Sequence, residues 1–172
     1  MDVPSSTIEG VETSAHGRLA IWTRRGFLTL LTVFVLAGVA GLLGVRTSTA
    51  DSHADGWGLS LSYAATARAG LDVPWQVTVT HEGGFGKDLQ LAVTGDYFDI
   101  YETQGFNPEP SDVTRDGDLM YLTFTAPPGD TFVLRYDAYI QPSSQAGAGG
   151  TVSVIDQGQR VVSVDFDTVL LP

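Results

Sequence analysis

"WGLSLSY" (residues 57–63) and "PWQVTVT" (residues 74–80) are the two runs on which the fold reading rests. In the first, Trp57, Leu59, Leu61 and Tyr63 alternate with Gly58, Ser60 and Ser62; in the second, Trp75, Val77 and Val79 alternate with polar residues. A period of two belongs to a strand with one face buried. A turn containing Ala69-Gly70 and Pro74 separates them. The same alternation returns as Leu89, Leu91 and Val93 in "DLQLAV", and as Met120, Leu122 and Phe124 in "LMYLTF". It continues through Phe132, Leu134, Tyr136, Ala138 and Ile140 in "FVLRYDAYI". Towards the end, "TVSV" and "RVVSVDFDTVLL" flank Asp156-Gln157-Gly158-Gln159, a loop of the kind that closes a hairpin.

Glycine- and proline-bearing clusters such as "HEGGFGK", "APPGDT" and "SSQAGAGG" separate these strands, with no amphipathic helical pattern between them. Strands without helical crossovers pair antiparallel and bury their apolar faces most readily as two packed layers. The pattern therefore predicts an all-β domain over residues 57–172, an immunoglobulin-like antiparallel β-sandwich of about seven strands. Trp75 is the natural core residue. The cysteine pair of antibody domains is missing, so the analogy concerns architecture alone.

Upstream lies "GFLTLLTVFVLAGVAGLLGV", residues 26–45, without one formal charge. As a helix rising about 1.5 Å per residue it would cover roughly the 30 Å of a bilayer's hydrocarbon layer. Arg18, Arg24 and Arg25 precede it, and Arg46 alone follows, with Asp51 and Asp55 close behind. By the positive-inside bias the N-terminus stays cytoplasmic and the rest is exported. The organisation expected is a disordered cytoplasmic tail (1–25), a transmembrane signal anchor (26–45), a polar tether (46–56) and an extracytoplasmic domain (57–172). A competing reading takes Thr23-Arg24-Arg25-Gly26-Phe27-Leu28 as the start of a twin-arginine leader, with small residues for cleavage near Ala50. Either reading exports the domain. Within the apolar run, Ala37 and Gly41, and likewise Ala40 and Gly44, are four apart, the spacing that lets two helix backbones approach in lipid. Alanine and glycine are also simply common in membrane helices.

The chain's 172 residues allow one domain of ordinary size plus short segments outside it. Nine Lys+Arg stand against 20 Asp+Glu, a net charge of −11. Residues 1–25 are balanced, so the exported part carries the excess, which would repel a phosphate backbone or an anionic surface. Nucleic acid is thereby set aside. Cysteine is absent, which removes thiolate catalysis, iron–sulfur ligation and disulfides.

Chemistry-bearing patterns are few. His16, His53 and His81 have no ligand spacing, and there is no G-x-S-x-G, S-x-x-K or phosphate loop. Asp112, Asp116 and Asp118 around "TRDGDL" read as turn chemistry rather than a calcium loop. Asp165 and Asp167, two apart in the last strand, are expected to face solvent while Val164 and Phe166 face inward. No catalytic, cofactor or metal site is expected, and no enzyme. The most unusual stretch is "GDYFDIYETQGFNPEPSD", residues 95–112. It sets Tyr97, Phe98, Tyr101 and Phe106 among acids and ends in prolines. Such a loop suits a partner-contact surface, with Tyr101 and Phe106 the exposed pair; the bland alternative is that its rings cap one end of the core.

The arginine pair, single span and glycine-punctuated ectodomain, with "GLDVPWQVTV" and "VVSVDFDTVLLP", resemble small single-pass membrane-anchored proteins of high-GC Gram-positive bacteria with immunoglobulin-like ectodomains. The resemblance covers most of the chain and implies an envelope address without an activity. Together these readings lead to a membrane-tethered interaction domain, accessory to an envelope complex and bound to a membrane protein partner. The alternative is an extracytoplasmic binding module for carbohydrate or a cation, exported by a twin-arginine-type route.

Overall fold

A computed structural model describes residues 15–41, 44–102 and 105–171. The chain divides into two compact units, Met1–Leu43 and Gly44–Pro172. The first contains a single described helix, α1 (Ala15–Val39). The helix takes in Arg24 and Arg25, so it begins inside the stretch expected to be a disordered tail; residues 1–14 of that tail lie outside the described residues. It ends at Val39, earlier than the expected boundary at 45. Gly41 adopts φ +71°, and its N–H donates to the carbonyl of Gly38, a left-handed glycine stop that closes the last turn. From Leu19 to Val39 the helix is long and apolar enough to cross a membrane, and none of it is buried by its own chain. Phe34 is 61% and Val39 82% exposed. An apolar surface left bare on all sides needs an apolar surrounding, as an anchor or a signal sequence has.

The second unit is built on strands, here β1 (Arg46–Ala54), β2 (Trp57–Arg68), β3 (Asp72–Val73), β4 (Trp75–His81), β5 (Asp88–Thr94) and β6 (Phe106–Asn107). These are followed by β7 (Asp112–Asp116), β8 (Leu119–Thr125), β9 (Thr131–Tyr136), β10 (Ala138–Tyr139), β11 (Ala148–Asp156) and β12 (Gln159–Leu171). A 3-10 helix, Gly95–Ile100, follows β5. Six of the seven alternating runs each form a strand, and "FVLRYDAYI" breaks at Asp137 into β9 and β10, which lie in different sheets. Register puts Leu59 opposite Val79 and Leu61 opposite Val77, with all four side chains buried, while Ser60 opposite Thr78 faces outward. The hairpin between β11 and β12 closes through Gln157 and Gly158, both at positive φ.

The sandwich expectation is overturned by the way the strands join. A sandwich needs two separate layers, whereas here one ten-stranded sheet runs β6-β9-β4-β2-β12-β11-β5-β8-β7, with β1 attached to β2. The joint is β12. Its residues up to Thr168 pair antiparallel with β11, and Val169–Leu171 then pair parallel with Thr66–Arg68 of β2. The sheet is therefore mixed and continuous. It also curls strongly: Phe124 on β8 and Phe132 on β9 lie six places apart in strand order, yet their ring centroids are 4.7 Å apart. The result is a half-barrel around one core that includes Leu61, Val77, Leu91, Leu122, Leu134 and Val152, each fully buried.

Residues 46–54, expected to be a polar tether, are the strand β1. They zip onto β2 from Thr47–Ala64 to Ala54–Trp57 through a tight turn at Asp55-Gly56, both at positive φ. Its inward positions hold Ala50 and Ala54, half-buried against the core, while Thr49, Asp51 and His53 face solvent. Small inward residues suffice because the backbone ladder supplies the pairing.

Candidate functional site

The open side of the half-barrel lies between its two end pairs, β6 with β9 and β7 with β8. Most of the aromatic acidic stretch sits across this opening. The 3-10 helix Gly95–Ile100 delivers Tyr97 and Phe98, a bridge to Ile140 fixes Tyr101, and β6 carries Phe106. Tyr97 is 0% and Tyr101 2% exposed, while Phe98 and Phe106 are half-buried. The exposure expected of Tyr101 is thus not found; the ring is drawn inward by a hydrogen-bonded chain. Thr168 Oγ1 donates to the carbonyl of Ala64 at 2.8 Å, and therefore accepts from the Tyr97 hydroxyl at 3.0 Å. Tyr97 in turn accepts from the Tyr101 hydroxyl at 2.5 Å. Burial raises the pKa of both phenols, because their charged forms lose water, and the Tyr97 contact raises that of Tyr101 further.

Around this chain the rings pack edge to face. Phe98 lies 4.9 Å from Tyr136 and 5.5 Å from Phe106, and Trp75 stands 5.3 Å from Phe98. The buried indole N–H of Trp75 has no hydrogen-bond acceptor, and its ring packs at steep angles against Phe98, Phe106 and Tyr136. On the solvent side of the cluster is a cleft of about 460 Å³, walled by Phe98, Phe106 and Tyr136 and rimmed by Asp99, Arg115 and Gln141. Gln141 is committed to the fold, since its Nε2 donates to the carbonyl of Tyr101 at 2.6 Å. Asp99 and Arg115 are exposed. Aromatic walls with one acid and one base at the mouth suit the side chains of another protein or the faces of a sugar.

Further along the same opening is a second hollow of about 470 Å³, floored by Phe124 and Phe132 and walled by Pro108, Pro127 and Pro128. Sequence reasoning missed both Arg115 and this hollow. The available signal was the alternation of proline in "NPEP", which forbids a regular strand and forces a crossing.

The remaining candidates are dispersed. Of the two pairs of small residues expected each along one helix face, Ala37 is on α1, and Ala40, Gly41 and Gly44 follow its end. His53 and His81 lie on opposite faces of the sheet. His53 shares a row with Gly58 and Thr80, whereas His81 pairs with Trp57 and stacks on its indole at 4.0 Å. A carbonyl only accepts, so the His81 Nδ1 contact with Gly56 O at 3.2 Å puts the proton on that nitrogen. A methyl group on Gly58 would lie 3.1 Å from the His53 ring and collide with Thr80 Oγ1, so a larger residue there requires both side chains to shift. Asp165 accepts from Thr151 Oγ1 at 2.6 Å, and Asp167 faces Gly149; both are exposed. Among the described residues, no group of three or more His, Cys, Asp or Glu is placed to hold a metal ion. Comparison with protein-family models and with curated proteins returns no match.

Proposed function

We propose that this chain is a membrane-tethered extracytoplasmic interaction domain, an accessory subunit held against a membrane protein partner in the cell envelope. The observation that carries the reading is the Leu19–Val39 helix, apolar and unburied by its own chain, joined in sequence to a β domain that bears an aromatic opening. Arginines before the apolar run and acids after it favour a cytoplasmic N-terminus. The single-pass layout it shares with small anchored proteins of high-GC Gram-positive bacteria supports the same address. Purification from native membranes in mild detergent is expected to retain a stoichiometric partner, and a clean monomer overturns the reading. Protease added to intact cells should digest the β domain and spare residues 1–25; the reverse pattern overturns the orientation.

A second reading is a ligand-binding module freed or anchored after twin-arginine-type export, with carbohydrate as the ligand class. Two observations favour it. The uncharged part of the helix, Gly26–Val39, spans about 20 Å, which is leader length and short of a full hydrocarbon layer. The cleft beside Phe98 and Tyr136 also combines ring faces with polar groups. N-terminal sequencing of the mature protein separates anchor from leader. A rise in melting temperature with cell-wall glycan fragments separates ligand binding from partner binding.

A further inference from the structure

The sheet's edges are not alike. β7 is exposed at every residue and carries Asp112, Arg115 and Asp116, and β1 carries Arg46, Asp51 and His53. Charges of this kind discourage another chain from pairing. β9 differs. One side is paired with β4 along Thr131–Arg135, but on the other side only Arg135 and Tyr136 are covered, by β6. Thr131, Phe132, Val133 and Leu134 carry no charge, and among the described residues no strand pairs with that side.

The local sequence keeps this edge open. β6 starts an antiparallel ladder at Phe106–Tyr136 and Asn107–Arg135, and the next residues are Pro108, Glu109 and Pro110. The proline rings fix φ near −65°, away from the value of a regular strand, so the ladder does not run on towards Thr131 and the chain leaves for β7. Opposite, the β7 pairing ends at Thr123, whose carbonyl is capped by the Ser111 N–H at 2.8 Å and its hydroxyl at 2.9 Å. The β8 to β9 connection, with Pro127 and Pro128, frames the far end. What remains is a window of about 470 Å³ with a bare strand edge on one side and a floor of two phenylalanine rings.

We propose that the uncharged edge of β9 receives one extended segment of a partner protein, added as a further strand, with an apolar side chain over Phe124 and Phe132. A bare backbone edge selects a polypeptide, because its N–H and C=O groups are matched by another strand and not by an acyl chain. Glu109 at the window, Asp130 beside Thr131 and the domain's excess of acids select a basic flank on that segment. The inference rests on the interaction-domain reading and specifies the kind of partner.

The test uses the full chain in detergent micelles and three synthetic peptides. These are acetyl-Lys-Val-Thr-Val-Lys-Val-amide, the same peptide N-methylated at alternate residues, and an analogue with Glu in place of Lys. The basic peptide is expected to slow amide exchange at Thr131 and Val133, whose N–H groups face away from β4, by about tenfold or more and to leave β1 and β7 unchanged. The N-methylated peptide should give no protection, and the acidic analogue should bind about tenfold more weakly. Val133→Lys, and independently Thr131→Lys should the first variant unfold, is expected to weaken binding of the basic peptide by about tenfold at an unchanged melting temperature. Protection at β1 or β7 instead, no protection at saturating peptide, or equal binding of the N-methylated peptide overturns the proposal. Protection of Thr131 and Val133 by anionic vesicles alone overturns it in favour of lipid. Retention by Val133→Lys of a partner co-purified with the native chain overturns the edge assignment while the accessory role stands. A native chain without a partner that still binds the basic peptide overturns the accessory role and leaves the edge assignment intact.

Discussion

Within the hydrogen-bonded chain from Tyr101 through Tyr97 and Thr168 to the carbonyl of Ala64, each hydroxyl has a fixed direction, and the direction ranks the mutations. Tyr97→Phe removes the middle link and, with it, the 2.5 Å acceptor of the buried Tyr101 hydroxyl, a cost of about 1–3 kcal/mol. Tyr101→Phe removes only the first donor, so about 1 kcal/mol or less is expected. Urea unfolding of the two variants checks the order. The raised phenol pKa values also set a pH dependence. In the unfolded chain these tyrosines ionise near pH 10, whereas the folded domain holds them protonated to higher pH. Their contribution is therefore complete below about pH 10 and is lost as pH rises through the folded values. Melting temperature should fall above about pH 10 in the native chain, and less steeply in a Tyr97→Phe, Tyr101→Phe double variant. Trp75 offers a third contrast: with no acceptor on its indole nitrogen, Trp75→Phe forfeits packing volume but no hydrogen bond. It should cost less than Trp75→Ala, for which about 3–5 kcal/mol is expected by chemical denaturation.

At the level of elements, β12 has two roles, pairing with β11 over most of its length and with β2 through Val169–Leu171. Removing residues 169–172 should separate the roles. Exchange at Thr66–Arg68 is expected to quicken by about tenfold or more, while the β11–β12 hairpin keeps most of its protection. The seven alternating runs were legible in the sequence because each has large apolar residues at every second position, as in Leu59 and Leu61 or Val77 and Val79. β1 was not, because its inward residues Ala50 and Ala54 are too small to stand out from Ser48 and Thr49. β3 and β6 are two residues long and leave no period to read, and β10 reads as the continuation of β9 because the alternation runs on through Ala138. The burial of Tyr101 was equally hidden, since it follows a 3-10 helix in which neither the strand nor the α-helix period applies. The mixed pairing had one trace in the sequence. "QRVVSVDFDTVLL" is 13 residues, about 43 Å when extended, more than one layer of a sandwich spans.

For the whole molecule, the net charge of −11 is carried by residues 26–172, since residues 1–25 sum to zero. Self-repulsion of like charges opposes compaction and is screened by salt, with a Debye length near 10 Å at 0.1 M and about 3 Å at 1 M. Raising sodium chloride from low to molar concentration is therefore expected to raise the melting temperature, and a fall would mean that specific ion pairs outweigh the repulsion. The same charge disfavours self-association and leaves basic partner segments as the natural counterpart. The sequence could locate strands, acids and the apolar run. It could not show which ends of the sheet would face each other, because that arises from curl accumulated over nine strands and from the crossing at Pro108 and Pro110. The shared strand also imposes an order of events. β12 comes after the other eleven in the chain, and it alone ties Thr66 to Val169. A nascent domain emerging N-terminus first has no means of closing its sheet until that final strand clears the ribosome or the translocation pore. Until then its half-finished core stands open to proteases and chaperones.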